Sequence, residues 1–223
     1  MSKDKHLDDK VIEMISKTEQ LKAVSAEPEE NRENIPPEER TIYTGIKING
    51  KWIEFEERLF IEDKLAMMVP KEFTEMEQEK AKLKYPMEQR PGTILTDYTG
   101  EINILFSYTD EEITNEDTVM IRDKMLAMMS RVNPGIKAQS TGEKVISDKK
   151  VAYVEFSHPT IDGKLYNLMY FMELDGRTMM GIINCLTKSM KYWKQHAFEM
   201  MQSIQVIKSD NNGEERSIDE LQP

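Results

Sequence analysis

Between Lys137 and Leu186 the chain offers four strand-length runs in succession, roughly 137–146, 150–158, 164–174 and 177–186. Two of the joints are Asp-Gly pairs, Asp162-Gly163 and Asp175-Gly176, the dipeptide that favours a two-residue hairpin turn. Such a series commits the chain to an antiparallel meander. The stretch around the second turn, YFMELDGRTMMGIINC, is apolar on both alternating faces, whereas a half-solvated strand alternates apolar with polar. The sheet therefore needs a cover on each side.

A two-residue turn at Asp175-Gly176 sets Met172 opposite Met179, Tyr170 opposite Gly181, Leu168 opposite Ile183 and Tyr166 opposite Cys185. The other face pairs Phe171 with Met180, Met169 with Ile182 and Asn167 with Asn184. A matching turn at Asp162-Gly163 adds Phe156 beside Met169 and Val154 beside Phe171, a row expected to be core. It also sets Tyr153 beside Met172, Glu155 beside Tyr170 and Ser157 beside Leu168. That mixture of Tyr, Met, Leu and polar groups reads as an open face. The same register brings His158 opposite Asn167 and Asn184, a polar rung suited either to a ligand or to a hydrogen-bonded trio at the sheet rim.

The remaining elements follow from period and punctuation. Leu7, Val11, Met14, Ile15, Thr18 and Leu21 mark one face of an amphipathic helix within residues 1–25. Residues 26–40, rich in Glu, Asn and Pro, read as a disordered acidic linker, and 209–223 as a disordered tail. A single domain is expected over 41–208. Within it Asn49-Gly50 signals a hairpin, Pro70 stops a strand, and a short helix or irregular segment follows with Phe73 and Met76 inward. Two more strands, TILTDY and EINILFSY, meet around Gly100. Thr114 to Asn133 is the clearest helix, capped by Thr114, with Ile121, Met125, Leu126, Met128, Met129 and Val132 as its apolar face. A final helix over 188–203 turns Met190, Trp193, Ala197, Met200 and Met201 inward, before a short strand. Strands in runs divided by helices predict an α+β fold with a mainly antiparallel twisted sheet.

Charge and motifs narrow the function classes. Thirty Lys and Arg against 41 Asp and Glu give a formal net charge of −11, which opposes binding to nucleic acid. No apolar run approaches the roughly 18 residues of a membrane span, so no membrane insertion is expected. One cysteine, Cys185, allows no intrachain disulfide and fits a reducing, cytoplasmic setting. The chain carries no Gly-rich phosphate loop, GxSxG elbow or HExxH pair, and His6, His158 and His196 lack metal-ligand spacing. No cofactor, metal or catalytic residue is assigned. Methionine is the unusual feature, 17 residues with four doublets, suited to irregular cores and adaptable binding surfaces.

The strand running into MMVPKEF, the hairpin ending in ILFSYTD, the LDGRTMMGIIN strand and the closing WKQHAFEMMQSIQV resemble the PsbP-like superfamily over residues 57–208. Within it the likeness is to DcrB-like domains and to the Eag chaperones of secreted effectors. The resemblance implies an antiparallel sheet flanked by helices, generally without enzymatic activity, and, in the Eag case, a sheet surface that shelters apolar helices of a client. DcrB-like proteins are typically exported lipoproteins, whereas no signal or lipobox cysteine stands near the start of this sequence. The expected function is therefore a chaperone or adaptor holding an apolar helix or strand against Tyr153, Tyr166, Leu168, Tyr170, Met172, Met179 and Ile183. The alternative is a small-molecule or lipid-binding domain anchored by His158, Asn167 and Asn184.

Overall fold

A computed structural model describes residues 35–207, apart from 87–89 and 162. The expected N-terminal helix and the C-terminal tail lie outside the described residues. The expected linker is described from Ile35 on, and there it is held. Arg40 donates to the Ile35 carbonyl at 3.1 Å and stacks 5.6 Å over the Trp52 ring, so these residues belong to the folded domain.

Among the described residues twelve strands and three α-helices follow in chain order. β1 (Ile46–Ile48) and β2 (Lys51–Ile53) form a separate hairpin through Asn49 and Gly50, both at positive φ, as the Asn-Gly pair predicts. β3 (Phe55–Phe60) pairs with β4 (Leu65–Pro70), and β12 (Gln205–Val206) adds to β4's other edge, giving a small three-stranded sheet. The main sheet has seven antiparallel strands, ordered β5 (Thr74–Glu75), β6 (Thr93–Thr96), β7 (Ile102–Glu112), β11 (Arg177–Leu186), β10 (Gly163–Leu174), β9 (Lys149–Thr160) and β8 (Lys137–Ile146). The helices are α1 (Gln78–Lys84), α2 (Thr118–Val132) and α3 (Met190–Gln202).

β10 and β11 pair in the register that the Asp175-Gly176 turn dictates, from Leu174 opposite Arg177 to Tyr166 opposite Cys185. β9 and β10 do not follow the Asp162-Gly163 turn. Thr160 pairs with Gly163, which moves β9 by two residues, so Tyr153 faces Tyr170, Val154 faces Met169 and His158 faces Leu165. A two-residue move keeps every side chain on its face, so face patterning alone cannot distinguish the two registers. The observed one sets small Ala152 against Phe171 and lets the Tyr166 hydroxyl reach Glu155 at 2.7 Å. Pro159 stays paired, with Lys164, and the irregularity falls instead on β8 between Ala138 and Ser140.

The row expected to be core is buried as expected, but the face expected to be open is closed as well and is the deeper of the two. Tyr166, Leu168, Tyr170, Met172, Met179 and Ile183 are at most 2% exposed, packed in one cluster with Trp193, Ala197, Met200 and Met201 of α3 and Leu65, Met67 and Val69 of β4. This is the principal core. Trp193 meets Phe73 with ring centroids 6.0 Å apart, and Phe60 packs at a tilt against Phe106 at 4.6 Å. The opposite face carries the thinner clusters. Val154, Phe156, Met169 and Phe171 lie with Ile121, Met125, Leu126 and Met129 of α2, while Met76, Ile94 and Leu105 pack with Ala81 of α1 and Tyr85. Met180 and Ile182 of β11 remain half-buried on that side.

α2 also begins later than expected. Thr114 does not cap it; the Asp117 carboxylate accepts from the Thr114 amide at 2.8 Å and its hydroxyl at 2.6 Å, which holds 114–117 as a turn. Met128 and Val132 face solvent instead of the core. From the same helix buried Arg122 reaches the β8 edge, donating to the Gly142 carbonyl at 3.1 Å and to Asp123 at 2.9 Å.

Two glycines make the sheet's aromatic packing feasible. A Cβ on Gly181 would lie 2.1 Å from Tyr170 Cζ, and one on Gly142 would lie 2.4 Å from the Tyr153 hydroxyl. Each ring lies across its cross-strand glycine. Gly181→Ala is expected to lower stability by about 1–3 kcal/mol, because Tyr170 is fully enclosed and has nowhere to shift. Gly142→Ala should cost less, since half-buried Tyr153 can swing outward. Urea unfolding midpoints check this; an unchanged midpoint for Gly181→Ala would refute the packing.

Candidate functional site

Of the seven residues expected to bind a partner, six are enclosed beneath α3 and the small sheet, and the seventh, Tyr153, rests edge-on against Phe198 of α3 at 5.2 Å. The second cover that the sequence demands is thus supplied by the fold itself. As this surface stands, no partner reaches Tyr166, Leu168, Tyr170, Met172, Met179 or Ile183.

The polar rung exists and is longer than expected. Thr96, Asn103, Asn184 and Asn167 are successive cross-strand partners on β6, β7, β11 and β10. Asn103 donates to the Asn184 side-chain carbonyl at 2.9 Å and accepts from Thr96 Oγ1 at 2.9 Å and Lys84 Nζ at 3.2 Å. Asn184 also donates to the Tyr85 hydroxyl at 3.5 Å. His158 reaches Asn167 diagonally, with 3.3 Å between Nδ1 and Nδ2, and stacks on Phe156. Burial holds the His158 imidazole below its usual pKa, so it is neutral at pH 7 and can accept from the Asn167 amide. The three asparagines are at most 4% exposed. These bonds run to protein groups, as a buried amide row requires; they tie β6, β7 and β11 together and, separately, β10 to β9 at one end of the sheet.

A second polar cluster was not legible from local sequence. Glu155, 4% exposed, projects to the α3 side. Its carboxylate accepts from the Tyr166 hydroxyl at 2.7 Å, Ser140 Oγ at 2.5 Å and Lys194 Nζ at 2.6 Å. Burial works to raise its pKa, but the bonds from Lys194, Ser140 and Tyr166 outweigh it and leave the group below the usual carboxylate range. Tyr166 moves the other way, raised by burial and then by its bond to the Glu155 anion, so it remains a protonated donor. Beside it the Ser157 hydroxyl is fully buried with no bonding partner among the described residues. The four members come from β8, β9, β10 and α3, and their shared carboxylate fastens the helix to the sheet.

Nucleophilic chemistry has little footing here. Cys185 lies in the principal core, where burial pushes its thiol up to about 12, on the opposite face from His158. Among the described residues no group of three or more His, Cys, Asp or Glu side chains is placed to hold a metal ion, and no helix is long and apolar enough to cross a membrane. An open recess of about 640 Å³ lies between Glu112–Thr114, Asp117 and Asp175–Arg177. Asp117 is engaged there by Thr114 and Asp175 by Lys64, so the recess offers no converging unengaged groups from these two acids.

The Glu155 cluster generates a pH prediction. A carboxyl whose folded pKa is depressed contributes stability that is present above its unfolded value, about 4.3, and is lost as pH falls through the folded value. Glu155→Gln should cost about 2 kcal/mol at neutral pH, since it removes the charge from hydrogen bonds with three donors. The deficit should narrow below about pH 4. Urea unfolding at neutral and acid pH decides it, and a deficit of the same size at both would contradict the assignment.

No protein-family model and no curated relative matches the sequence. Among solved structures the chain is similar to CyanoP, the cyanobacterial PsbP of Synechocystis, at 10% identity, covering 69% of this chain and 92% of that one with a TM-score of 0.53. It is also similar to LpqN, involved in cell envelope biogenesis of Mycobacterium tuberculosis, at 9% identity, 70% and 92% coverage and a TM-score of 0.47. The T6SS immunity protein TplEi of Pseudomonas aeruginosa matches at 10% identity over 87% of this chain and 84% of that one, with a TM-score of 0.39. Such identities speak to architecture alone. With a seven-stranded antiparallel sheet flanked by helices and the CyanoP likeness, the chain has a PsbP-like α+β fold.

Proposed function

We propose that the chain is a non-enzymatic interaction protein, a chaperone or adaptor, that holds an apolar segment of a partner protein on the outer face of α2. The observation that carries this reading is the exposure of Met120, Met128 and Val132, at 46, 54 and 83%, on one 15-residue helix. A row of large apolar side chains left in water along one helix is the kind of surface on which a partner docks. Methionine suits such a surface because its thioether adapts to different shapes. The surface expected from sequence, around Tyr170 and Met172, is closed by α3, and this favours the other side of the sheet for a partner.

A photo-crosslinking residue at position 128 should give adducts with a single protein in cells that express the chain naturally, and the adducts should fall at least several-fold in Val132→Asp. The same group at Glu79 of α1 serves as control. Equal labelling from both positions would defeat the reading.

A further inference from the structure

Met120, Lys124, Met128 and Val132 stand four residues apart on α2, so their side chains form one ridge of the kind that interlocks between the ridges of another helix, crossing at about 50°. Charge adds a second observation. α2 contains three cations, Arg122, Lys124 and Arg131, and one acid, Asp123, a balance of +2 within a chain of −11. Asp123 is occupied by Arg122, which is itself buried against the β8 edge. The cations left at the solvent face are Lys124, within the ridge, and Arg131, beside Val132; both are exposed.

We propose that this ridge docks an amphipathic helix whose apolar stripe is flanked by acidic residues. The inference rests on the preceding reading of α2 as the partner surface and names the partner's chemistry. A helix fits because the ridge offers side chains at helical spacing and no unpaired backbone. A strand would need a sheet edge, and at the neighbouring β8 edge Arg122 already holds the Gly142 carbonyl. Acidic flanks follow from Lys124 and Arg131, which steer and orient such a partner. A second copy is disfavoured, since two α2 ridges face to face would bring these cations against their equivalents. An anionic bilayer would also attract the ridge, but it repels the remainder of a chain with this net charge.

The test uses two synthetic helical peptides with the same leucine stripe, one flanked by glutamates and one by lysines, titrated against the full chain by fluorescence anisotropy. The glutamate peptide should bind about tenfold more tightly at low salt, as expected for two rim ion pairs. Its advantage should shrink in high salt. The double reversal Lys124→Glu with Arg131→Glu should invert the preference, and Met128→Asp with Val132→Asp should abolish binding of both peptides. All four positions are exposed, and circular dichroism verifies that each variant folds. Equal binding of the two peptides overturns the acidic-partner inference but leaves α2 as a docking surface. No binding of either, or binding that survives Met128→Asp with Val132→Asp, overturns both. Tighter binding to vesicles of anionic lipid than to the glutamate peptide overturns the inference in favour of a membrane.

Discussion

Burial of β10 on both faces is the constraint from which the rest of the architecture follows. From Tyr166 to Leu174 every side chain of that strand is removed from water, so neither face of the sheet centre can be left to solvent. The α3 side receives the bulk of the apolar volume, with Tyr170 laid flat where Gly181 leaves room. The α2 side receives a smaller apolar cluster under a helix that is only partly sunk. Two covers of unequal depth explain why α3 encloses Met200 and Met201 whereas α2 leaves Met120 and Met128 in water.

Polar groups within this frame work as fasteners. The Asn103, Asn184 and Asn167 row and the Glu155 cluster lie on opposite faces; the first joins strands distant in sequence, and the second fastens α3 to three consecutive strands. A buried amide or carboxylate tolerates few alternatives, because a slipped register would strand it without a partner at a cost of about 1–3 kcal/mol. Apolar side chains on a pleated surface are more forgiving: Val154 would pack acceptably against Phe171 or Met169. Polar pairing thereby selects among registers that hydrophobic patterning leaves nearly equivalent.

That difference accounts for what was legible in the sequence. The β10–β11 register could be read because Asp175-Gly176 is a local signal followed by ten pairs, and the α+β class followed from the order of elements. The β9–β10 register was displaced because contacts such as Tyr166 with Glu155 outweigh the preference of an Asp-Gly pair for the turn. Asn103 and Thr96 were missed because β7 joins β11 across some 70 residues, with no turn to count from. The candidate site suffered most. Both faces of the hairpin look equally apolar in one dimension, and which helix sinks deeper is decided by packing. Exposure of Met128 and Val132 could have been suspected only from the breadth of the stripe assigned to α2, wider than a single sheet can cover.

Arg122 has a further consequence for the chain's behaviour in crowded solution. β8 is the long outer margin of the main sheet, and such margins can serve as templates for cross-β growth. Its guanidinium occupies a main-chain acceptor near the middle of that margin, and the offset between Ala138 and Ser140 distorts one end. An incoming strand would have to evict a buried cation and straighten the backbone before gaining its first ladder bonds. Colloidal stability is in this way built into the same helix that leaves methionines exposed on its other side.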